Sequence, residues 1–99
     1  MSGKILHSIT FTWKASVTPD DIARLSALLD ELRGAIAGAE RFDFGSGLGL
    51  APNARDFGLV IVFDDEPAFR AYVAHPAHGE AAGLARAMAE DLATVQLAL

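Results

Sequence analysis

A proline at position 76 falls inside what the surrounding residues would otherwise make one long helix. Proline has no N–H to donate, and its ring disfavours the α conformation at the preceding residue, here His75. The segment Phe69-Arg70-Ala71-Tyr72-Val73-Ala74-His75-Pro76-Ala77-His78-Gly79 is therefore expected to break at His75 and restart, with Pro76 near the first helical position. This corner holds the only Tyr of the chain and two of its three His, the side chains here best suited to moving protons near neutral pH. In an unbroken helix Tyr72 and His78 would face apart, because six steps of about 100° leave them about 240° apart around the axis. A break can redirect them toward one another.

The flanking sequence supplies the frame. Ile5, His7, Ile9, Phe11 and Trp13 alternate with Leu6, Ser8, Thr10 and Thr12, which predicts a strand with one large apolar face. Thr18-Pro19-Asp20-Asp21 is a helix start: an N-cap, a proline at N1 and acids at the positive end of the dipole. Ile22, Leu25, Leu28, Leu29, Leu32 and Ile36 follow at helical spacing, and Gly34 and Gly38 mark the end.

Residues 41–45 form a short strand with Phe42 and Phe44 on one face. The glycines at 45, 47 and 49 lack the Lys-Ser/Thr and the helix start of phosphate-binding loops, so residues 45–55 are expected to be a mobile loop joining strands. Residues 57–64 form a third strand, apolar on both faces and so covered on both. Asp65-Glu66-Pro67 opens the second helix. Beyond the break, Ala81, Leu84, Ala85, Met88 and Leu92 continue its apolar stripe, and residues 94–99 close the chain as a strand with Val95, Leu97 and Leu99 on one face. The order β-α-β-β-α-β predicts an α+β, ferredoxin-like domain spanning 1–99, a four-stranded antiparallel sheet with helices on one face.

That arrangement leaves the other sheet face bare, and here it is apolar. Hydrophobic residues make up 52% of the chain and charged ones 21%. A chain of this length buries only roughly 60–65% of its unfolded surface. Self-association through the open sheet face is the expected remedy, giving a homodimer. The formal charge of −5 argues against a nucleic-acid partner. The absence of cysteine excludes disulfides and thiolate chemistry. No apolar run is long enough to cross a bilayer, and a cytoplasmic protein is expected.

The stretches Lys4 to Lys14, Val17-Thr18-Pro19, Phe42-Asp43-Phe44-Gly45 and Val62-Phe63-Asp64-Asp65, and above all Tyr72-Val73-Ala74-His75-Pro76-Ala77-His78, resemble the stress-responsive dimeric α/β-barrel (Dabb) family. The resemblance implies a homodimer with a central barrel and, in each subunit, a pocket between sheet and helices. One branch, the plant olivetolic acid cyclase, closes a linear polyketide by an aldol condensation without a cofactor. The resemblance to it implies Tyr72 and His78 as the catalytic pair, with His7 lining the pocket. Where that branch has a Thr-His pair early in the third strand, this chain has Gly58-Leu59, so Leu59 makes the pocket less polar. His75 is read first as a cap for the restarted helix and is counted with His7 and Leu59 among the substrate-binding candidates.

An aldol closure needs a base beside a carbonyl and a donor for the enolate oxygen. A His in the first turn of a restarted helix meets the positive end of its dipole, which keeps His78 neutral and able to accept a proton. The Tyr72 hydroxyl can orient that ring or donate to the oxygen. The expected ligand is a small apolar carbonyl or aromatic compound. No cofactor is expected, and no metal: His7, His75 and His78 with Glu80 can be imagined as ligands, but spacing alone is weak evidence for a site. A non-catalytic dimeric stress or ligand-binding protein is the alternative, and a cofactor-free monooxygenase on the same architecture is a third.

Overall fold

The computed structural model describes residues 3–99, as strand β1 (Ile5–Trp13), helix α1 (Pro19–Ala35), strands β2 (Ala39–Ser46) and β3 (Phe57–Phe63), helices α2 (Glu66–Ala74) and α3 (Pro76–Met88), and strand β4 (Ala89–Ala98). The strands form one antiparallel sheet in the order β2-β3-β1-β4. This is the ferredoxin-like β-α-β-β-α-β architecture, with α2 and α3 as two halves of the second helical crossover.

The local signals act as the residues dictate. Thr18 caps α1 through a capping box: its hydroxyl accepts from the Asp21 N–H at 3.2 Å, and the Asp21 carboxylate accepts from the Thr18 N–H at 2.9 Å. Asp65 caps α2 by accepting from the Ala68 N–H at 2.9 Å. Gly38 turns the chain out of α1 with φ +79°, and a Cβ there would lie 2.7 Å from Cβ of Ala68, so only glycine fits.

Strand alternation builds the core. Phe11, Phe57, Leu59, Ile61, Phe63 and Phe42 point from the sheet onto Leu25, Leu29 and Leu32 of α1, Ala81, Ala85 and Met88 of α3, and Tyr72 of α2. Each fully buried Leu or Phe among them contributes about 1.5–3 kcal/mol. The register aligns apolar partners across strands: Phe11 with Phe57, Ile9 with Leu59, His7 with Ile61.

The opposite sheet face is built from the intervening residues. Leu6, Ser8 and Thr10 of β1 pair with Val62, Val60 and Gly58 of β3 on one side, and with Leu97, Val95 and Ala93 of β4 on the other. Val95 and Leu97 are 49% and 50% exposed. Among the described residues no helix is long and apolar enough to cross a membrane.

Three boundaries differ from the sequence expectation. Strand β4 begins at Ala89, directly after α3, so Leu92 belongs to a strand and not to the helical stripe. A leucine four residues after Met88 satisfies either period, and no Gly or Pro marks the junction. Strand β2 extends from 39 to 46, and β3 ends at Phe63. The glycine-containing loop joins β2 to β3 and is tied at its base. The Gly47 N–H donates to the Asp56 carbonyl at 2.7 Å, and the Asp56 carboxylate accepts from the Trp13 N–H at 2.8 Å. Arg55 reaches Asp91 at 2.7 Å and Thr12 at 3.1 Å, clamping the loop to β1 and β4.

Candidate functional site

The helix break is made by His75. Its backbone is extended (φ −69°, ψ 135°), and it is at once the C-cap of α2 and the N-cap of α3. Its Nδ1 accepts from the Ala77 N–H at 3.0 Å. That capping bond keeps the side chain at the backbone, and His75 does not line the cavity described below, which corrects its place among the substrate-binding candidates.

The break brings Tyr72, at the end of α2, against His78, in the first turn of α3. Their ring centroids lie 4.7 Å apart with an edge-to-face angle of 63°. His7, rising from β1, approaches Tyr72 with centroids 5.8 Å apart. These three rings share a cavity of about 260 Å³ between the sheet and the helices. Ile9, Phe11, Leu25, Leu29, Leu32 and Leu59 supply its apolar walls, and Ala81, Ala82 and Ala85 keep it open along α3. Its volume lies near the lower end of small-ligand pockets, about 300–1,000 Å³.

Burial sets the protonation states. The Tyr72 hydroxyl is pushed up to about 12 by burial, so it is a proton donor across the physiological range. Burial lowers the His78 pKa below its ordinary 6.5, and the nearby Arg86 guanidinium lowers it further, while hydrogen bonding to the Val73 backbone pulls the other way. The His7 pKa is lowered by burial first and then by His78. Both cavity imidazoles are therefore neutral near pH 7. The sequence argument from the helix dipole expected the same direction for His78; desolvation and Arg86 are the causes the structure shows.

Four polar or rim residues of the cavity escaped the sequence argument. Thr94 and Gln96 of β4 line it, as do Val73 and Arg86 at exposed positions on α2 and α3. Thr94 and Gln96 fall on alternate positions of the closing strand, opposite in phase to Val95, Leu97 and Leu99. That alternation sets them on the face opposite Val95, Leu97 and Leu99, and it is the signal the sequence holds for them. Among the described residues no three His, Cys, Asp or Glu side chains converge as a metal site.

A ferredoxin-like domain with a small, partly open cavity under a broken helix is the class these features define. The chain belongs to the stress responsive A/B barrel domain (Dabb) family, whose model matches residues 5–97. It is similar to a dimeric ferredoxin-like protein of unknown function from Thermobifida fusca, with 38% identity over 97% of this chain and 91% of that one and a TM-score of 0.90. It shares its fold with the hydroxynitrile lyase of Passiflora edulis, at 14% identity over 100% and 95% of the two chains and a TM-score of 0.88. It also shares its fold with a mutant of SnoaB, a cofactor-independent oxygenase from Streptomyces nogalater, at 18% identity over 98% and 93% and a TM-score of 0.76. No curated protein sequence matched the chain.

Proposed function

We propose that the protein is a homodimeric, cofactor-independent lyase of the aldol type, acting on a small carbonyl compound through Tyr72 and His78. The observation that carries this is the 4.7 Å edge-to-face contact of those two rings at the wall of a largely apolar cavity. It agrees with the resemblance of these two positions to the plant olivetolic acid cyclase.

The proton bookkeeping closes with this chain's own groups. Neutral His78 takes the proton next to the carbonyl, and the electron pair moves onto the carbonyl oxygen. The Tyr72 hydroxyl, protonated well above neutral pH, donates a hydrogen bond to that oxygen. The enolate carbon attacks a second carbonyl, and the new alkoxide recovers the proton from the His78 imidazolium. Cleavage runs the same steps backward. The apolar leucine walls lower the local dielectric, which strengthens each of these interactions.

The homodimer is supported by the exposed apolar side chains. Val95 and Leu97 stand on the open sheet face, and Leu48 and Leu50 stand 84% and 86% exposed on the β2–β3 loop. Those positions fit a second copy packed sheet to sheet, and the Thermobifida fusca relative is itself dimeric.

The test is turnover of a panel of short β-dicarbonyl and aromatic polyketide-like compounds by the unaltered protein and by His78→Ala. Loss of activity by about 100-fold or more in the variant is the expected result. Unchanged turnover in His78→Ala sinks the mechanism. Tight binding of a panel member with no turnover by either protein establishes the non-catalytic reading, which the predominantly apolar lining and Leu59 on β3 favour.

A further inference from the structure

The register of β1 and β4 sets His7 opposite Gln96, and Ile9 opposite Thr94, on the helix-facing side of the sheet. The Gln96 amide nitrogen lies 2.8 Å from Nδ1 of His7 and 3.0 Å from the Thr94 hydroxyl. An amide NH₂ has two protons to give and accepts none, so it donates to both. A neutral imidazole that accepts at Nδ1 carries its own proton on Nε2. Among the described residues no hydrogen bond to Nε2 of His7 is seen, and the residue, 8% exposed, lines the cavity wall. His7 lines the cavity, so a donor that stays accessible there is available to an acceptor in whatever occupies it.

We propose that Gln96 is a positioning residue that locks His7 as an N–H donor, so that the ligand sets an acceptor oxygen against Nε2. Building on the function proposed above, this divides the labour between two histidines of the same type. His7 joins Tyr72 as the second donor to the oxygen that gains charge, and His78 alone is left to take the proton. The bound compound then carries a carbonyl oxygen at the β1–β4 side of the cavity and its apolar part against α1.

The test is a long-range ¹H–¹⁵N correlation spectrum of the histidine-labelled full chain, recorded where the imidazoles are neutral. His7 is expected to show a protonated Nε2 and an unprotonated Nδ1. Gln96→Glu presents only acceptors, and it is expected to move the His7 proton to Nδ1. Gln96→Leu is expected to leave a mixture of both forms. A His7 that carries its proton on Nδ1 in the unaltered protein overturns the proposal. So does a His7 spectrum that neither substitution changes. Should Gln96→Glu not fold, the unaltered protein and Gln96→Leu decide the matter. Turnover of an accepted substrate is expected to fall about 10-fold or more in Gln96→Leu, with the acid limb of the pH profile unmoved. The tautomer is read without substrate, so a protein shown to be non-catalytic by His78→Ala leaves this test standing.

Discussion

The Tyr72 ring meets the His78 ring edge to face across a helix break, with centroids 4.7 Å apart. Tyr72 also packs on Phe63 at 5.1 Å and on His7 at 5.8 Å, so its ring belongs to the core while its hydroxyl is the part the proposed mechanism uses. Tyr72→Phe separates the two. It is expected to leave thermal stability within about 1 kcal/mol and to reduce turnover by about 100-fold or more. Tyr72→Ala empties the site and is expected to cost about 3–5 kcal/mol in denaturant unfolding. Full activity in Tyr72→Phe would remove the hydroxyl from the mechanism.

Tyr72 is the only tyrosine, so phenolate absorbance reports on it alone. The folded midpoint is expected near 12, against 10.0 for a free phenol. A folded pKa above the unfolded one means that the stabilisation is complete below pH 10 and is lost as pH rises from 10 to about 12. The loss amounts to roughly 3 kcal/mol, from about two pH units at about 1.4 kcal/mol each. Tyr72→Phe should lack this alkaline decline. A phenolate midpoint near 10 in the folded protein would show the hydroxyl to be solvated.

At the acid side the signs reverse. His7 and His78 are both held below 6.5, so the unfolded chain binds protons first as pH falls. Their contribution is whole above pH 6.5 and declines as pH drops from there through their folded values. Turnover should follow the neutral form of His78 and so show an acid limb below 6.5. Arg86→Leu removes a nearby positive charge and is expected to move the His78 midpoint, followed by NMR, and that limb upward. A limb that Arg86→Leu leaves in place would assign it to another group.

The open face of the sheet makes a prediction of its own. Sedimentation of the unaltered protein is expected to give twice the mass of one chain. Val95→Asp together with Leu97→Asp places two carboxylates on that face, where desolvating them costs several kcal/mol, and should yield monomers. Their helix-facing neighbours Thr94 and Gln96 remain in place, so the monomer is expected to keep its fold. A doubly substituted protein that still sediments as a dimer would locate the interface elsewhere.

Much of this architecture was legible because single residues act locally. Thr18 with Asp21 makes a capping box whatever surrounds it, and Pro76 cannot continue a helix. The alternation from Ile5 to Trp13 sets His7 on the large apolar face of β1, which in the structure meets the helices. The start of β4 was not legible, since Ala89 to Ala93 carries no breaker and Leu92 suits both periods. The partnership of His7 with Gln96 was hidden for a different reason. It joins residues 89 positions apart, and only the β1–β4 register brings them together. Arg86 acts on His78 from about two turns further along the same helix, α3, a spacing present in the sequence that the sequence argument did not use.

Helix α1 gives the cavity nothing but Leu25, Leu29 and Leu32, while every proton-bearing group stands on β1, β4 or the two halves of the broken helix. One wall of the cavity is thus free of any group the proposed chemistry uses, although β1, β3 and α3 shape it too. Mutational drift in three leucines could retune which molecule is admitted while the reacting groups stay as they are, a route by which one small scaffold could diversify its chemistry's clientele without reinventing the chemistry.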